Sequence, residues 1–309
     1  MISLLIGYTG FVGSNIYQKG KFDKVFNSKN IQEAYGLHPD LLIYAGMRAE
    51  KYLANNAPEK DLALVKQAER NIELINPKKL VLISTIDVLK DTCGKTENDL
   101  IDTKGLQTYG YNRYILECWV REHYPDALVI RLPGLFGQNL KKNFIYDFIK
   151  VIPFMLKEEK FLALSRNQSL LQDNYEKLDN GFYRVKTLTA ETEKNLKLLF
   201  QKLGFSALNF TDSRSIYQFY PLSRLWNDIQ VALANDIKLL HLATEPISAG
   251  ELYYYLTGKE FVNELKGKPA YYDYHTLYAS MFGAQGNYIL SKEQVMKDIK
   301  RFVLLQGRN

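Results

Sequence analysis

The sequence predicts an α/β fold, a doubly wound parallel sheet with a smaller C-terminal lobe. Three observations carry this reading. Short apolar runs alternate with stretches of helical periodicity through the first 137 residues. Residues 79–85 are nearly all apolar, the pattern of a strand buried on both faces of a parallel sheet. An opening apolar run, residues 2–6, leads into Gly7, Gly10 and Gly13, and residues 14–18 can continue as a helix. Strand, glycine turn and helix is a layout that bends sharply, lets backbone approach a pyrophosphate and points free N–H groups at the anion. The spacing here is G-x-x-G-x-x-G, and a bare triplet of this kind also occurs at ordinary strand-to-helix corners.

The elements follow in order. Residues 24–27 read as a second strand, ending in Asn27, Ser28 and Lys29 with no carboxylate among them. An acidic residue at this place binds a ribose 2′-hydroxyl, and its absence beside a cation favours a 2′-phosphate, so NADP is expected ahead of NAD. Residues 41–45 form the next strand, ending at Ala45 and Gly46, where a small residue lets a cofactor pass. A helix over 61–75 places Leu62, Val65, Ala68, Ile72 and Ile75 at helical spacing and stops before Pro77. The strand over 79–85 ends in Ser84 and Thr85, on the edge where open α/β sheets hold ligands.

Residues 93–108 are polar and turn-rich and are expected as a loop over that edge. A helix over 109–121 puts Tyr109 and Arg113 on one face, one turn apart. A strand over 126–131 ends in Arg131, before Leu132, Pro133 and Gly134. Beyond residue 140 the pattern loosens into polar helices and loops, including an amphipathic stretch with Leu196, Leu199, Phe200 and Leu203. Strand character returns over 236–243, and Ser248 with Glu251 marks a helix start at 248–256. The expected domains are 1–140 with 214–245 for the sheet, and 141–213 with 246–309 for the lobe.

The chain has 309 residues, 46% hydrophobic and 24% charged, with a formal charge of +6 scattered along it. These are the proportions of an ordinary globular protein. No basic run argues for nucleic acid, and no apolar stretch reaches membrane-spanning length. The opening run is too short for a secretory signal and lacks a basic leader. Cys93 and Cys118 are expected as reduced thiols of a cytoplasmic protein, and the four histidines have no metal-ligand spacing.

The glycine turn, the strand-end Ser-Thr pair and the Tyr-x-x-x-cation helix together resemble the extended short-chain dehydrogenase/reductase superfamily. This is the branch of nucleotide-sugar epimerases, dehydratases and reductases, and the likeness is greatest to dTDP-4-dehydrorhamnose reductase and GDP-fucose synthase. The family's Ser-Thr-x-x-Val appears as Ser84 to Val88, and its Tyr-x-x-x-Lys as Tyr109 to Arg113. Residues 131–137, 219–225 and 240–248 are similar to later family segments, and 141–212 is the least matched.

The resemblance implies a Rossmann-like fold and a nicotinamide dinucleotide, NADP or NAD. The residues that would hold it are Gly7, Thr9, Gly10, Phe11, Val12, Gly13, Asn27, Ser28, Lys29, Ala45, Gly46, Ser84 and Pro133. It implies Tyr109 as general acid/base, Thr85 holding the reacting oxygen and Arg113 as the nearby cation, able also to bind the cofactor ribose. Free tyrosine titrates near about 10, and a cation at Tyr109 is expected to lower that value. A nucleotide-linked sugar is implied as substrate, with Met47, Asp87, Arg131, Lys141, Lys142 and Asn143 contacting it. The implied function is a 4-keto-sugar reductase of surface polysaccharide biosynthesis, working in the cytoplasm and dimerising through helices near the tyrosine. An epimerase or dehydratase on the same substrate class is the alternative. Arg113 is the main departure, because a guanidinium fork is not interchangeable with an ammonium. It keeps open both a displaced field on Tyr109 and a protein that binds a dinucleotide without turnover.

Overall fold

Six strands, every neighbouring pair parallel, make the sheet that the sequence pattern predicts. The computed structural model describes residues 2–306. Met1 and residues 307–309, where the expected domain ranges begin and end, lie outside the described residues. The strands are β1 (Ser3–Ile6), β2 (Lys24–Phe26), β3 (Leu41–Tyr44), β4 (Lys79–Thr85), β5 (Leu128–Leu132) and β6 (Leu239–His241), in the order β6-β5-β4-β3-β1-β2. The chain steps from β1 outwards to β2, then crosses back to β3 on the other side of β1. That reversal opens a crevice beyond the C-terminal ends of β1 and β3, the place where such sheets take ligands.

Four helices matter for the site: α1 (Phe11–Lys19), α2 (Lys51–Asn56), α3 (Pro58–Ile75) and α4 (Thr108–His123). The core on one face joins Leu4, Ile6, Leu42, Leu80, Leu82 and Val129 of the strands to Val65, Ala68, Ile72 and Ile75 of α3 and to Leu116 and Val120 of α4. The predicted helix over 61–75 starts three residues earlier, with Pro58 in its first turn, where a missing N–H costs nothing. The short helix α2 was not expected. It has six residues and buries only Ala54, so it leaves no periodic signature.

The contacts divide the chain into two units. The first comprises residues up to Leu140, with Ile216–Ile247 and Tyr271–Ile299. The second comprises Lys141–Ser215, Ser248–Ala270 and the chain from Lys300. Residues 271–299 thus sit with the sheet, whereas the sequence reading put everything from 246 onwards in the lobe. The reason is local hydrogen bonding: Gly94 N–H donates to the Asp273 carbonyl and His275 N–H to the Lys95 carbonyl, both at 2.7 Å, tying this segment to the 93–107 loop.

The second unit holds a three-stranded antiparallel sheet (Met155–Lys157, Phe182–Val185, Tyr175–Lys177) where only helices and loops were expected. Asp179, Asn180 and Gly181, the last at φ +76°, turn its hairpin. The predicted amphipathic stretch is the helix Ala190–Lys202, which buries Leu196 and Phe200. Ser248 caps the helix Ala249–Thr257, its hydroxyl accepting from Glu251 N–H at 3.1 Å. Among the described residues no helix is long and apolar enough to cross a membrane.

Helix α4 lies so close to the turn after β4 that a β-carbon on Gly110 would sit 2.0 Å from the Asp87 carbonyl oxygen. Gly110→Ala is therefore expected to push α4 off that turn and to destabilise the protein by about 1–3 kcal/mol. Urea denaturation followed by circular dichroism measures this, and an unchanged midpoint would show that the approach is not needed.

Candidate active site

Gly7 closes β1 at φ +89°, a conformation open to glycine, and a β-carbon there would meet the Ala45 carbonyl oxygen at 2.5 Å. A β-carbon on Gly13 would lie 2.1 Å from the Gly7 carbonyl oxygen. The turn is therefore as tight as a phosphate-cradling turn has to be. Gly10 precedes α1 in extended conformation, and no side chain caps the helix. Thr9 and Gly10 are exposed, Phe11 and Val12 half-buried, so the first backbone N–H groups of α1 lie at an open edge. Residues 7–13 fit a dinucleotide pyrophosphate on this geometry.

The end of β2 is more settled than its sequence suggests. Asn27 Oδ1 accepts from Lys29 N–H, and Asn30 Oδ1 accepts from Asn27 N–H, both at 2.9 Å, so the Asn27 side chain shapes the loop. Ser28 and Lys29 are exposed. At the end of β3, Ala45 is half-buried and Gly46 exposed, while Met47, expected at the substrate, packs against the core. Pro133 is half-buried between β5 and the short strand Gly134–Phe136. Lys141, Lys142 and Asn143 belong to the second unit. Asn143 Oδ1 caps the helix Phe144–Lys150, accepting from Tyr146 N–H at 3.0 Å.

Two expectations are corrected. Arg131 was expected at the substrate, but its side chain is 1% exposed and pairs with Glu117 through Nη2–Oε2 at 2.7 Å. Its Nη1 donates to His241 Nε2 at 3.1 Å. Ser84 was expected at the cofactor, but its hydroxyl donates to Glu117 Oε1 at 2.5 Å, inside the core. A buried guanidinium needs a buried carboxylate, and Glu117 on α4 draws both side chains inwards. Burial and Arg131 together hold the His241 imidazole neutral, with its pKa pushed down to about 3. Arginine can only donate, so His241 Nε2 accepts, and Nδ1 carries the proton that it gives to the His275 carbonyl at 3.0 Å.

The residues that do converge are Thr85, Asp87, Tyr109 and Arg113, joined by three that the sequence reading missed. Thr85 Oγ1 donates to Asp87 Oδ2 at 3.2 Å. The same carboxylate takes Lys51 Nζ at 2.7 Å and the Tyr272 hydroxyl at 3.3 Å. Lys51 Nζ lies 5.9 Å and Arg113 Cζ 4.6 Å from the Tyr109 ring centroid. Arg113 is buried and paired at both prongs with Asp61 of α3, Nη1–Oδ2 at 2.8 Å and Nη2–Oδ1 at 2.9 Å, and Nη2 also donates to the Arg48 carbonyl at 2.6 Å.

The Tyr109 pKa moves the other way from the one expected. Burial raises it, and it stays raised although Arg113, Lys51 and the Thr85 hydroxyl all favour the phenolate; Asp87 adds to the rise. One sign of Asp61 was in the sequence. It shares the stripe of Val65, Ala68, Ile72 and Ile75, and an acid on an apolar helix face calls for a buried cation. Lys51 and Tyr272 carried no such signal. Among the described residues no group of three or more His, Cys, Asp or Glu side chains is placed to hold a metal ion.

No family model matches the chain. No curated protein matches it by sequence. Its fold does match solved structures. Bacillus anthracis dTDP-4-dehydrorhamnose reductase in complex with NADP is similar at TM-score 0.63 and 14% identity, covering 99% of each chain. The dTDP-4-dehydrorhamnose reductase of Yersinia enterocolitica is similar at 0.62 and 14%, over 98% of this chain and 99% of that one. UDP-glucose 4-epimerase of Thermotoga maritima with UDP-glucose is similar at 0.62 and 13%, over 100% and 99%. The fold that the resemblance implied is the fold the chain has.

His241 makes stability depend on pH. The unfolded ring protonates near about 6.5, whereas the folded ring resists protonation to about 3. Between these values the unfolded chain binds the extra proton. The stabilisation is thus complete above pH 6.5 and is lost as pH falls towards 3, with a slope of up to about 1.4 kcal/mol per pH unit. His241→Gln should flatten this slope in urea denaturation series between pH 7 and 4.5. A variant slope equal to the wild-type slope would refute the assignment.

Proposed function

We propose that the chain belongs to the extended short-chain dehydrogenase/reductase superfamily and is an NAD(P)-dependent oxidoreductase of nucleotide-linked sugars. Within that class it is a 4-keto-sugar reductase of surface polysaccharide biosynthesis. The observation that carries the reading is one edge of one sheet. The tight Gly7 turn with the open N-terminus of α1 leaves β1, and Thr85 with Tyr109 stands at the end of β4. Solved proteins of the same fold, at 13–14% identity, are named as sugar-nucleotide reductases and epimerases.

In this reading residues 7–13 bind the pyrophosphate, with Ala45, Gly46 and Pro133 flanking the dinucleotide. The absence of a carboxylate at Asn27, Ser28 and Lys29 favours NADP over NAD. A bound nicotinamide would supply the hydride. Thr85 holds the sugar oxygen by a hydrogen bond, and Tyr109 gives it a proton. The raised Tyr109 pKa keeps that proton in place at neutral pH, which suits reduction. Lys141 and Lys142 are the cations proposed for the nucleotide diphosphate. Cys93 and Cys118 are free and exposed, in keeping with a reducing, cytoplasmic setting, and the proposed oligomer is a homodimer.

One observation favours a second reading. The Arg113 guanidinium is engaged by Asp61, as it would be in a protein that binds a dinucleotide without turnover. Titration with NADPH and NADH, followed by fluorescence enhancement, tests the common footing, and NADPH should bind the tighter. NADPH oxidation on addition of 4-keto-sugar nucleotides then supports the reductase. Sugar interconversion without net absorbance change means an epimerase, and binding without either means the second reading. Tyr109→Phe should lower turnover at least 100-fold and leave cofactor affinity within twofold. Full activity in that variant would remove Tyr109 from the chemistry.

A further inference from the structure

At Tyr109 the cation expected one helical turn away is present but occupied. The Arg113 guanidinium is 4.6 Å from the ring, yet Asp61 meets it at both prongs, and the Arg48 carbonyl takes a further N–H. The side chains of this pair are 4% and 1% exposed. A fork locked at both prongs cannot turn towards a reacting oxygen, although its charge still favours the Tyr109 phenolate.

A second cation reaches the same ring from another element. Lys51 opens α2 and brings its ammonium to 5.9 Å from the Tyr109 centroid. Its side chain is 52% exposed, and it meets Asp87 Oδ2 at 2.7 Å. An ammonium has three donors on a flexible stem, so it can keep Asp87 and still turn a donor towards an oxygen arriving at the site. Asp87 is itself divided among Lys51, Thr85 and Tyr272. The placement of α2 is built in, because Asn55 of the same helix accepts the Tyr109 backbone N–H through Oδ1 at 3.2 Å.

We propose that Lys51, arriving from α2, is the movable positioning cation of Tyr109, beside an Arg113 whose fork is held fixed by Asp61. This rests on the reductase reading for its catalytic consequence but not for its electrostatic one. The charged groups facing Tyr109 are Arg113 on its own helix, held at both prongs by Asp61 of α3, Asp87 from the turn after β4 and Lys51 from α2.

The test separates the two levels. Tyrosinate absorbance, recorded against pH as the difference between Tyr109-containing protein and its Tyr109→Phe counterpart, reports the ionisation of this one phenol. Lys51→Met should shift that titration upwards by about 0.5–1 pH unit, and Lys51→Arg should restore most of it. The site of the change is half-exposed, so the fold is expected to survive. In the same variants Lys51→Met should lower kcat at least tenfold and move the alkaline limb of its pH profile in step with the phenol, with NADPH affinity within twofold. A titration unmoved by Lys51→Met overturns the proposal. If the wild-type protein neither binds nor oxidises NADPH, the reductase reading fails, and the difference titration still decides whether Lys51 governs Tyr109.

Discussion

The two-pronged pair between Arg113 and Asp61 is the constraint on which the candidate site depends. It joins α3 to α4 at depth and, through the Arg48 carbonyl, fixes the segment that leads from β3 into α2. Asn112 adds a further hydrogen bond to the same carboxylate at 2.9 Å. Burying two charges gains little by itself, but leaving either alone would be costly, so the pair enforces one arrangement of the helices around Tyr109. The hydrogen bonds of Arg113 and Asn112 outweigh burial and keep Asp61 ionised below the usual carboxylate range.

A second buried pair does the same for the middle of the sheet. Glu117 lies four residues beyond Arg113 on α4 and takes Arg131 of β5 and Ser84 of β4. Helix α4 is thus pinned twice, by Arg113 towards α3 and by Glu117 towards the strands, while Gly110 lets it approach the turn after β4. Tyr109 stands at the N-terminal end of this doubly held helix, where small backbone shifts are resisted. The position of the phenol is thus set by ion pairs buried on other faces of α4.

The parallel sheet was legible because its signal is local. Residues 79–85 coincide with β4, and the glycine triplet falls at the turn after β1. Tyr109 and Arg113 were legible as a pair for the same reason, since helical spacing puts them on one face. Of what those side chains pair with, only Asp61 left a sign, as an acid on the apolar stripe of α3. Arg131 and Ser84 stand at a strand end in sequence, and only the packing of α4 shows that they turn inwards to Glu117. Lys51 escaped notice because a half-exposed lysine on a six-residue helix has neither periodicity nor a motif to mark it. The hairpin in the second unit could have been read from its Asp-Asn-Gly turn, but short strands in polar sequence are weakly patterned.

The return of residues 271–299 to the first unit bears on the order in which the chain can finish folding. Glu97 lies in the loop before α4, yet its carboxylate is closed by the His241 N–H, the Thr276 hydroxyl and the Leu277 N–H. The Gln218 amide is likewise completed by the carbonyl and N–H of Tyr274. A ribosome that had released only the first 270 residues would have delivered every strand of the sheet and, of these closing groups, the His241 N–H alone. The nascent sheet would hold an under-satisfied buried acid until the last segment emerged, and its most sequence-distant contacts would be the ones that complete it.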